Sequence, residues 1–281
     1  MRWLVAGSRG MLGRDLLEVL ETHGEPVTGV DLADIDITDP AGTAGVAGGY
    51  DVVVNCAAYT AVDRAEEEEP AAFAVNALGA ANLARSAHVA GARMVQISTD
   101  YVFDGDAQVP YPADAALNPR SAYGRTKAAG EWAVRAECRE HLIVRTAWLY
   151  GEHGPCFPRT IARLARERGT LDVVADQVGQ PTWTVDLADL VVRLVLAGVP
   201  SGTYHGTASG QTSWHGFARA VVAAAGLDAD VVRPTTSSDL VRAAARPAYS
   251  VLAHDSVRTA GAAPIGPWDE RWGQAAGMVL A

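Results

Sequence analysis

Residues 2–6, RWLVA, form a short apolar run of strand type that leads directly into Gly7, with Gly10 and Gly13 following at equal spacing. From Met11 onward the apolar residues recur at helical spacing, as Leu12, Leu16, Leu17 and Leu20. Strand, glycine turn and helix in that order are the context in which a glycine fingerprint is credible. Glycines let backbone amides approach a pyrophosphate, which then sits at the positive end of the helix. Gly7, Gly10, Met11, Leu12 and Gly13 are therefore candidate dinucleotide-binding residues. The GxxGxxG spacing, in place of GxGxxG, suits a tighter approach of turn and cofactor. An ordinary strand-to-helix turn is the alternative, and the next strand bears against it. That strand, EPVTGVDL, ends at Asp31, where a carboxylate can accept hydrogen bonds from ribose hydroxyls and disfavours a 2′-phosphate. Arg9, inside the glycine loop, points the other way, because a guanidinium pairs with that phosphate. The cofactor is thus NADPH or NADH. Asp36 and Ile37 are placed to flank the adenine as a polar cap and an apolar contact, or to form a turn into a helix beginning near Pro40.

Further strands are read at 27–31, 51–55, 93–98 and 142–146, separated by alanine-rich helical stretches such as FAVNALGAANLARSAHVAG. Short apolar strands alternating with helices predict an α/β fold: a Rossmann-type, doubly wound parallel sheet with right-handed crossovers. Ligands in such sheets sit beyond the carboxyl ends of the strands. Asn55 to Thr60, Ser98 to Asp100 and Thr146 to Trp148 all follow strand ends, so they are expected at one crevice. After residue 150 the alternation weakens and Pro- and Gly-rich connections accumulate. We assign residues 1–150 to a dinucleotide-binding domain and 151–281 mainly to a smaller, C-terminal substrate-binding lobe, with some segments returning to the first domain.

Composition narrows the function classes. A net charge of −10 argues against a nucleic-acid partner, and no apolar run approaches the ~20 residues of a membrane span. No basic, cleavable leader precedes the first strand, and Cys56, Cys138 and Cys156 have neither disulfide-framework nor zinc spacing, so the expected compartment is a reducing cytoplasm. The run Glu66 to Glu69 before Pro70 reads as a solvated helix start. Asn76, in the middle of a helical stretch, reads as a buried amide cross-linking helix to strand. His205, His215 and His254 lack ligand spacing and read as surface or core residues.

Tyr123 and Lys127, four residues apart in YGRTK, carry the chemistry. A free tyrosine ionises near pH ~10, so its anion needs a neighbouring cation before it can shuttle protons near neutrality. Positions i and i+4 project from one helix face, where a lysine reaches over the phenol. Such a pair alone is also an ordinary solvated one. The glycine loop upstream, and Thr99 at a strand end 24 residues earlier, turn it into a candidate catalytic trio of Thr99, Tyr123 and Lys127.

The motifs GxxGxxG, NCAAYTAVDRAE, VNALGAANLA, QISTDYVFDG, YGRTKAAGE and RTAWLYG together resemble the extended short-chain dehydrogenase/reductase superfamily. Within it, DQVGQPTWTVDLA, SGTYHGTASGQTSWHGFA and RPAYSVL are similar to the dTDP-4-dehydrorhamnose reductase family, so the resemblance runs from residue 1 to about 268. It implies delivery of a nicotinamide hydride to the C4 ketone of a dTDP-linked 6-deoxy-4-keto sugar. Tyr123 is then expected to donate the proton, Lys127 to lower its pKa and hold the nicotinamide ribose, and Thr99 to hydrogen-bond the reacting oxygen. By the same resemblance Gly10, Met11 and Leu12 meet the pyrophosphate, and Ala57, Ala58, Tyr59 and Thr60 lie beside the nicotinamide ribose. Asp100 and Trp148 match sugar-contacting positions. Gln177 or Thr182 could bond the diphosphate or sugar, unless that stretch is simply the hinge between lobes, and Arg246 and Ser250 could orient the second lobe or bind substrate phosphate. Some relatives bridge a dimer through acidic residues around magnesium. Here Asp15 occupies one such position but Val185 another, so no metal and a monomer or weak homodimer are expected. A 4-ketoreductase of an antibiotic-type deoxysugar and a non-catalytic regulatory subunit on the same fold remain as alternatives.

Overall fold

The computed structural model describes residues 1–240 and 242–281. Six strands form the main sheet: β1 (Trp3–Ala6), β2 (Val27–Val30), β3 (Val52–Asn55), β4 (Arg93–Thr99), β5 (His141–Thr146) and β6 (Gly202–His205). Their spatial order is β6-β5-β4-β3-β1-β2, and every pairing is parallel. The strand order reverses at β1, which leaves the crevice expected at such a switch point.

Strand side chains alternate between two buried layers, so the central strands read as continuous apolar runs. Trp3, Val5, Val52 and Val54 face the helices Met11–Thr22 and Thr184–Leu196, packing with Leu16, Leu20, Leu187 and Val191. Leu4, Ala6, Val53 and Met94 face the opposite layer, where the helices Ala80–Ala90 and Ala122–Glu137 supply Leu83, Ala84, Ala87 and Val134. The five strands read from the sequence agree with the observed ones to within a residue. The sixth, Gly202–His205, had no apolar run to announce it. The helix Thr184–Leu196 carries the chain back to this edge of the sheet, so the returning segment spans roughly residues 184–208.

The helix expected near Pro40 is a single turn, Pro40–Thr43, capped by the Asp39 carboxylate. The glutamate run does open a helix, Glu69–Phe73, but one correction applies: three of its four side chains are partly buried and bonded and not simply solvated. Glu66 accepts the Ala122 amide at 2.8 Å, Glu68 accepts the Tyr59 hydroxyl at 2.7 Å, and Glu69 makes a two-point bond with Arg125. Of the four, only Glu67 is exposed.

The second lobe is built from the helices Phe157–Arg168, Trp214–Ala224 and Trp268–Leu280 and the parallel pair Leu171–Val174 with Val232–Thr235. Its core centres on Phe217, with Tyr150, Phe157 and Trp272 ring centroids all within 5.6 Å of it. The two-residue pairing of Leu149–Tyr150 with Thr182–Trp183 connects the end of the first segment to it, and Val178–Gly179 pairs with Thr212–Ser213 within it. Among the described residues, no helix is long and apolar enough to cross a membrane.

Candidate active site

A cleft of about 1010 Å³ opens beyond the carboxyl ends of β1, β3, β4 and β5. Its floor is the glycine turn. Gly7 has φ +78°, a conformation glycine adopts without strain, and a Cβ there would collide with the Ala57 backbone. A Cβ on Gly13 would fall on the Gly7 carbonyl, so the third glycine lets the helix pack directly on the turn. Gly10 caps the helix Met11–Thr22 with no side chain over its first turn. The free N–H groups of that turn therefore suit an anion such as a pyrophosphate. This cradle fits a dinucleotide.

Asp31 folds the adjoining loop, its two oxygens accepting the Arg9 and Leu32 amides at 2.9 and 2.8 Å. Arg9 and Arg14 line the cleft beside it. The Arg9 guanidinium lies 3.7 Å from Asp34, and Arg14 donates to the Arg9 carbonyl. Asp36 and Ile37 line the same end. Hydrogen bonds from the Thr38 side chain and backbone lower the Asp36 pKa, while Ile37 is buried against Gly79.

Ala57, Ala58, Tyr59 and Thr60 form the wall after β3. The Ala57 amide donates to Asn55, whose own amide donates to Gln96. Buried Asn76 accepts the Tyr59 N–H at 2.8 Å and donates to the Tyr59 carbonyl and to Thr126 Oγ1. It therefore joins this wall to the helix of Tyr123, where the sequence suggested a link to a strand. Asn76 sits in a π-helical turn, Ala74–Gly79, that interrupts the alanine-rich helix.

The helix Ala122–Glu137 is capped by Ser121, which accepts the Gly124 amide at 3.1 Å. Gly124 and Gly130 bring it against the Tyr101 and Asn76 carbonyls, where any Cβ would collide. Tyr123 and Lys127 consequently meet Thr99 and Asp100 at one end of the cleft. Tyr101 stacks edge-on to the Tyr123 ring at 5.6 Å. Thr99 Oγ1 donates to Asp100 at 2.9 Å and accepts the Tyr101 amide. Lys127, 4% exposed, donates to the Ile97 carbonyl at 2.6 Å.

Burial dominates the electrostatics of this group. It raises the Tyr123 pKa, with the Thr99 hydroxyl opposing and the Asp100 charge adding. It pulls Lys127 down to about 8 against the opposing charge of Glu131. It lifts Asp100 to about 6 despite the hydrogen bond from Thr99. Burial, and not Lys127, governs the direction of the Tyr123 shift in this arrangement.

Sequence reasoning missed the charges beneath the trio. Glu131 and Arg145, 0% and 1% exposed, form a two-point pair at 2.8 Å. Glu131 also accepts from Ser98 at 2.6 Å and Arg135 at 3.1 Å. Burial works to raise the Glu131 pKa, but Arg145 and these donors hold it low. The only sequence signal was an acid one helical turn after Lys127.

Trp148 lines the cleft and, among the described residues, is the one non-glycine residue with positive φ, at 47°. Its indole stacks on Trp214 at 3.6 Å and 8°. Gln177 does not reach the cleft; its side chain donates to Ser237 at 2.9 Å in the second lobe. Thr182 is buried and donates to the Gln180 carbonyl. Arg246 pairs with Asp63 at 2.7 Å, and Ser250 is buried. His205 and His254 are core residues, and half-buried His215 contacts the Val232 carbonyl. Asp15 faces His153 and Glu18, the three offering ligand atoms within 4.8 Å of one another, while Val185 packs on the second core.

The family model for the RmlD substrate binding domain matches residues 1–278. A dTDP-4-keto-6-deoxy-D-glucose reductase of Streptomyces niveus is 47% identical, covering 95% of this chain and 93% of the relative. A dTDP-4-dehydrorhamnose reductase of Streptomyces griseus is likewise 47% identical over 95% of this chain and 90% of its own. The solved dTDP-4-dehydrorhamnose reductase of Bacillus anthracis, in complex with NADP, superposes with a TM-score of 0.94 at 36% identity, covering 98% of both chains. The glycine cradle, the meeting of Thr99, Tyr123 and Lys127 in one cleft, and whole-chain similarity agree, and the chain belongs to the RmlD substrate binding domain family, that of the dTDP-4-dehydrorhamnose reductases.

Proposed function

We propose that this protein reduces the C4 ketone of a dTDP-linked 6-deoxy-4-keto sugar with NADPH or NADH, converting dTDP-4-dehydro-L-rhamnose to dTDP-L-rhamnose. The observation that carries the reading is the convergence of Thr99, Tyr123 and Lys127 in the same cleft as the glycine cradle. Gly7, Gly10, Met11, Leu12 and Gly13 hold the pyrophosphate, Asp31, Asp36 and Ile37 the adenosine half, and Ala57 to Thr60 the nicotinamide ribose. Arg9 and Arg14 beside Asp31 support use of a 2′-phosphorylated cofactor.

A bound nicotinamide supplies the hydride; the chain supplies the proton and the geometry. Tyr123, kept protonated by burial, donates to the oxygen that becomes a hydroxyl. Thr99 turns its hydroxyl from Asp100 to that oxygen, a fixed dipole aimed at developing charge. Lys127 spends one N–H on Ile97 and keeps two for the cofactor ribose and the phenolate left after proton transfer. Asp100 and Trp148 bound the sugar. Three free cysteines support a reducing cytoplasm, and we assign a monomer or weak homodimer.

A second reading has equal support in identity: the Streptomyces niveus relative is named for a D-gluco ketosugar. Incubation with dTDP-4-keto-6-deoxyglucose, with and without a 3,5-epimerase, separates the two. The rhamnose reading predicts NAD(P)H oxidation only with the epimerase; oxidation without it selects the second. An intact trio argues against a regulatory subunit.

A further inference from the structure

Trp148 is held in a backbone conformation that bulky residues avoid, and such strain persists only where the surroundings over-determine it. Those surroundings belong to the second lobe. Trp214, the first residue of the helix Trp214–Ala224, stacks face to face on the indole at 3.6 Å. Phe157 packs on Trp214 at 4.4 Å. Gly179 lies so close that any Cβ there would collide with the indole. Gly179 and Trp214 are also mutually fixed, because Val178–Gly179 pairs with Thr212–Ser213 and Ser213 caps the Trp214 helix. One rigid unit of the second lobe therefore grips a side chain whose backbone extends from β5.

We infer that Trp214, which does not itself line the cleft, is a positioning residue that sets the affinity for the sugar half of the substrate by fixing Trp148 as an aromatic wall. This rests on the function proposed above. A 6-deoxy sugar presents an apolar face of ring C–H groups and a methyl, and a fixed indole covers such a face with favourable dispersion and no lost hydrogen bond. Without its stacking partner the strained indole relaxes out of the cleft. The sugar then loses its wall, while the nucleotide and the cofactor keep their own contacts.

The test is titration of dTDP-L-rhamnose and of dTDP alone into the NADP⁺-loaded protein, for the wild type, Trp214→Ala and Trp214→Phe. Trp214→Ala is expected to weaken dTDP-L-rhamnose about tenfold, leaving dTDP and NADPH affinities within about twofold. Trp214→Phe, which keeps a stacking ring, is expected to restore most of the loss. With the keto sugar, Trp214→Ala should raise KM about tenfold with kcat nearly unchanged. Unchanged sugar-nucleotide affinity, or equal weakening of dTDP and dTDP-L-rhamnose, overturns the inference. A wild type that binds dTDP-L-rhamnose in a Trp214-dependent manner but never oxidises NAD(P)H upholds it and removes the reductase reading; one that binds neither nucleotide removes both.

Discussion

Lys127 donates its ammonium proton to the carbonyl of Ile97 at 2.6 Å, on the same strand as Thr99 and two residues before it. The helix of Tyr123 and Lys127 is thereby pinned to the strand that carries Thr99. Lys127→Ala is expected to lower kcat by roughly 10²- to 10⁴-fold, the usual span for a lost acid–base component. The fold should survive, since the change removes a desolvated charge. Far-ultraviolet circular dichroism alongside turnover checks both halves.

The same lysine sets a pH limit. Burial brings it to about 8 against the charge of Glu131, whereas burial pushes the Cys56 thiol up to about 12, so that the thiol is neutral in this range. In the free enzyme, kcat/KM is therefore expected to fall as pH rises through about 8, because Lys127 loses its cation there. Cys56→Ser should leave that limb where it is. A limb displaced by the serine variant would assign it to the thiol.

Asp100 carries a cost at neutral pH. Its folded pKa of about 6 lies above the ordinary 3.8, so the stability linked to its proton is fully present below pH 3.8 and is lost as pH rises through 6. Asp100→Asn keeps the size and an acceptor for Thr99 without the buried charge. Its melting temperature should exceed that of the wild type by about 5 °C at pH 7.5, and the gap should close as pH falls toward 4. A constant gap across that window would assign the effect to packing.

Glu131 and Arg145 stabilise only as a pair. Removing Arg145 leaves buried Glu131 with only Ser98 and the partly exposed Arg135, a loss of about 3–5 kcal/mol. Arg145→Met is expected to lose that much in urea unfolding, and Glu131→Leu combined with it to recover part of the loss. If the double variant were no more stable than Arg145→Met, the pair would not be the source.

The limits of the sequence follow from what each residue sees. Strands such as Val52–Asn55 were legible because both faces are covered, which leaves an unbroken apolar run. The glycine turn and the Tyr123–Lys127 spacing were legible because their chemistry is local. The strand Gly202–His205 was hidden, since an edge strand containing Gly202 and Thr203 shows no such run. Glu131 with Arg145 was not singled out, because nothing in spacing reveals that a charge meets its partner across the core. Trp214 was invisible as a site residue for the same reason: its stacking on Trp148 spans 66 positions. Gln177, read as a sugar contact from its turn, points instead to Ser237. The glutamate run was legible as a helix start but not as partly buried, because Glu66 and Glu69 find donors across the fold and Glu68 finds Tyr59 nine residues away.

The central claim is that Tyr123 gives a proton to a sugar C4 oxygen in this cleft. The most direct test is NADPH oxidation with dTDP-4-dehydro-L-rhamnose, generated in place by the epimerase, for the wild type and Tyr123→Phe, with NADPH affinity measured in parallel. We expect turnover by the wild type and a loss of about 10²-fold or more in kcat for the phenylalanine variant at unchanged NADPH affinity. Wild-type turnover undiminished in Tyr123→Phe, or no oxidation by the wild type with this sugar, would contradict the account.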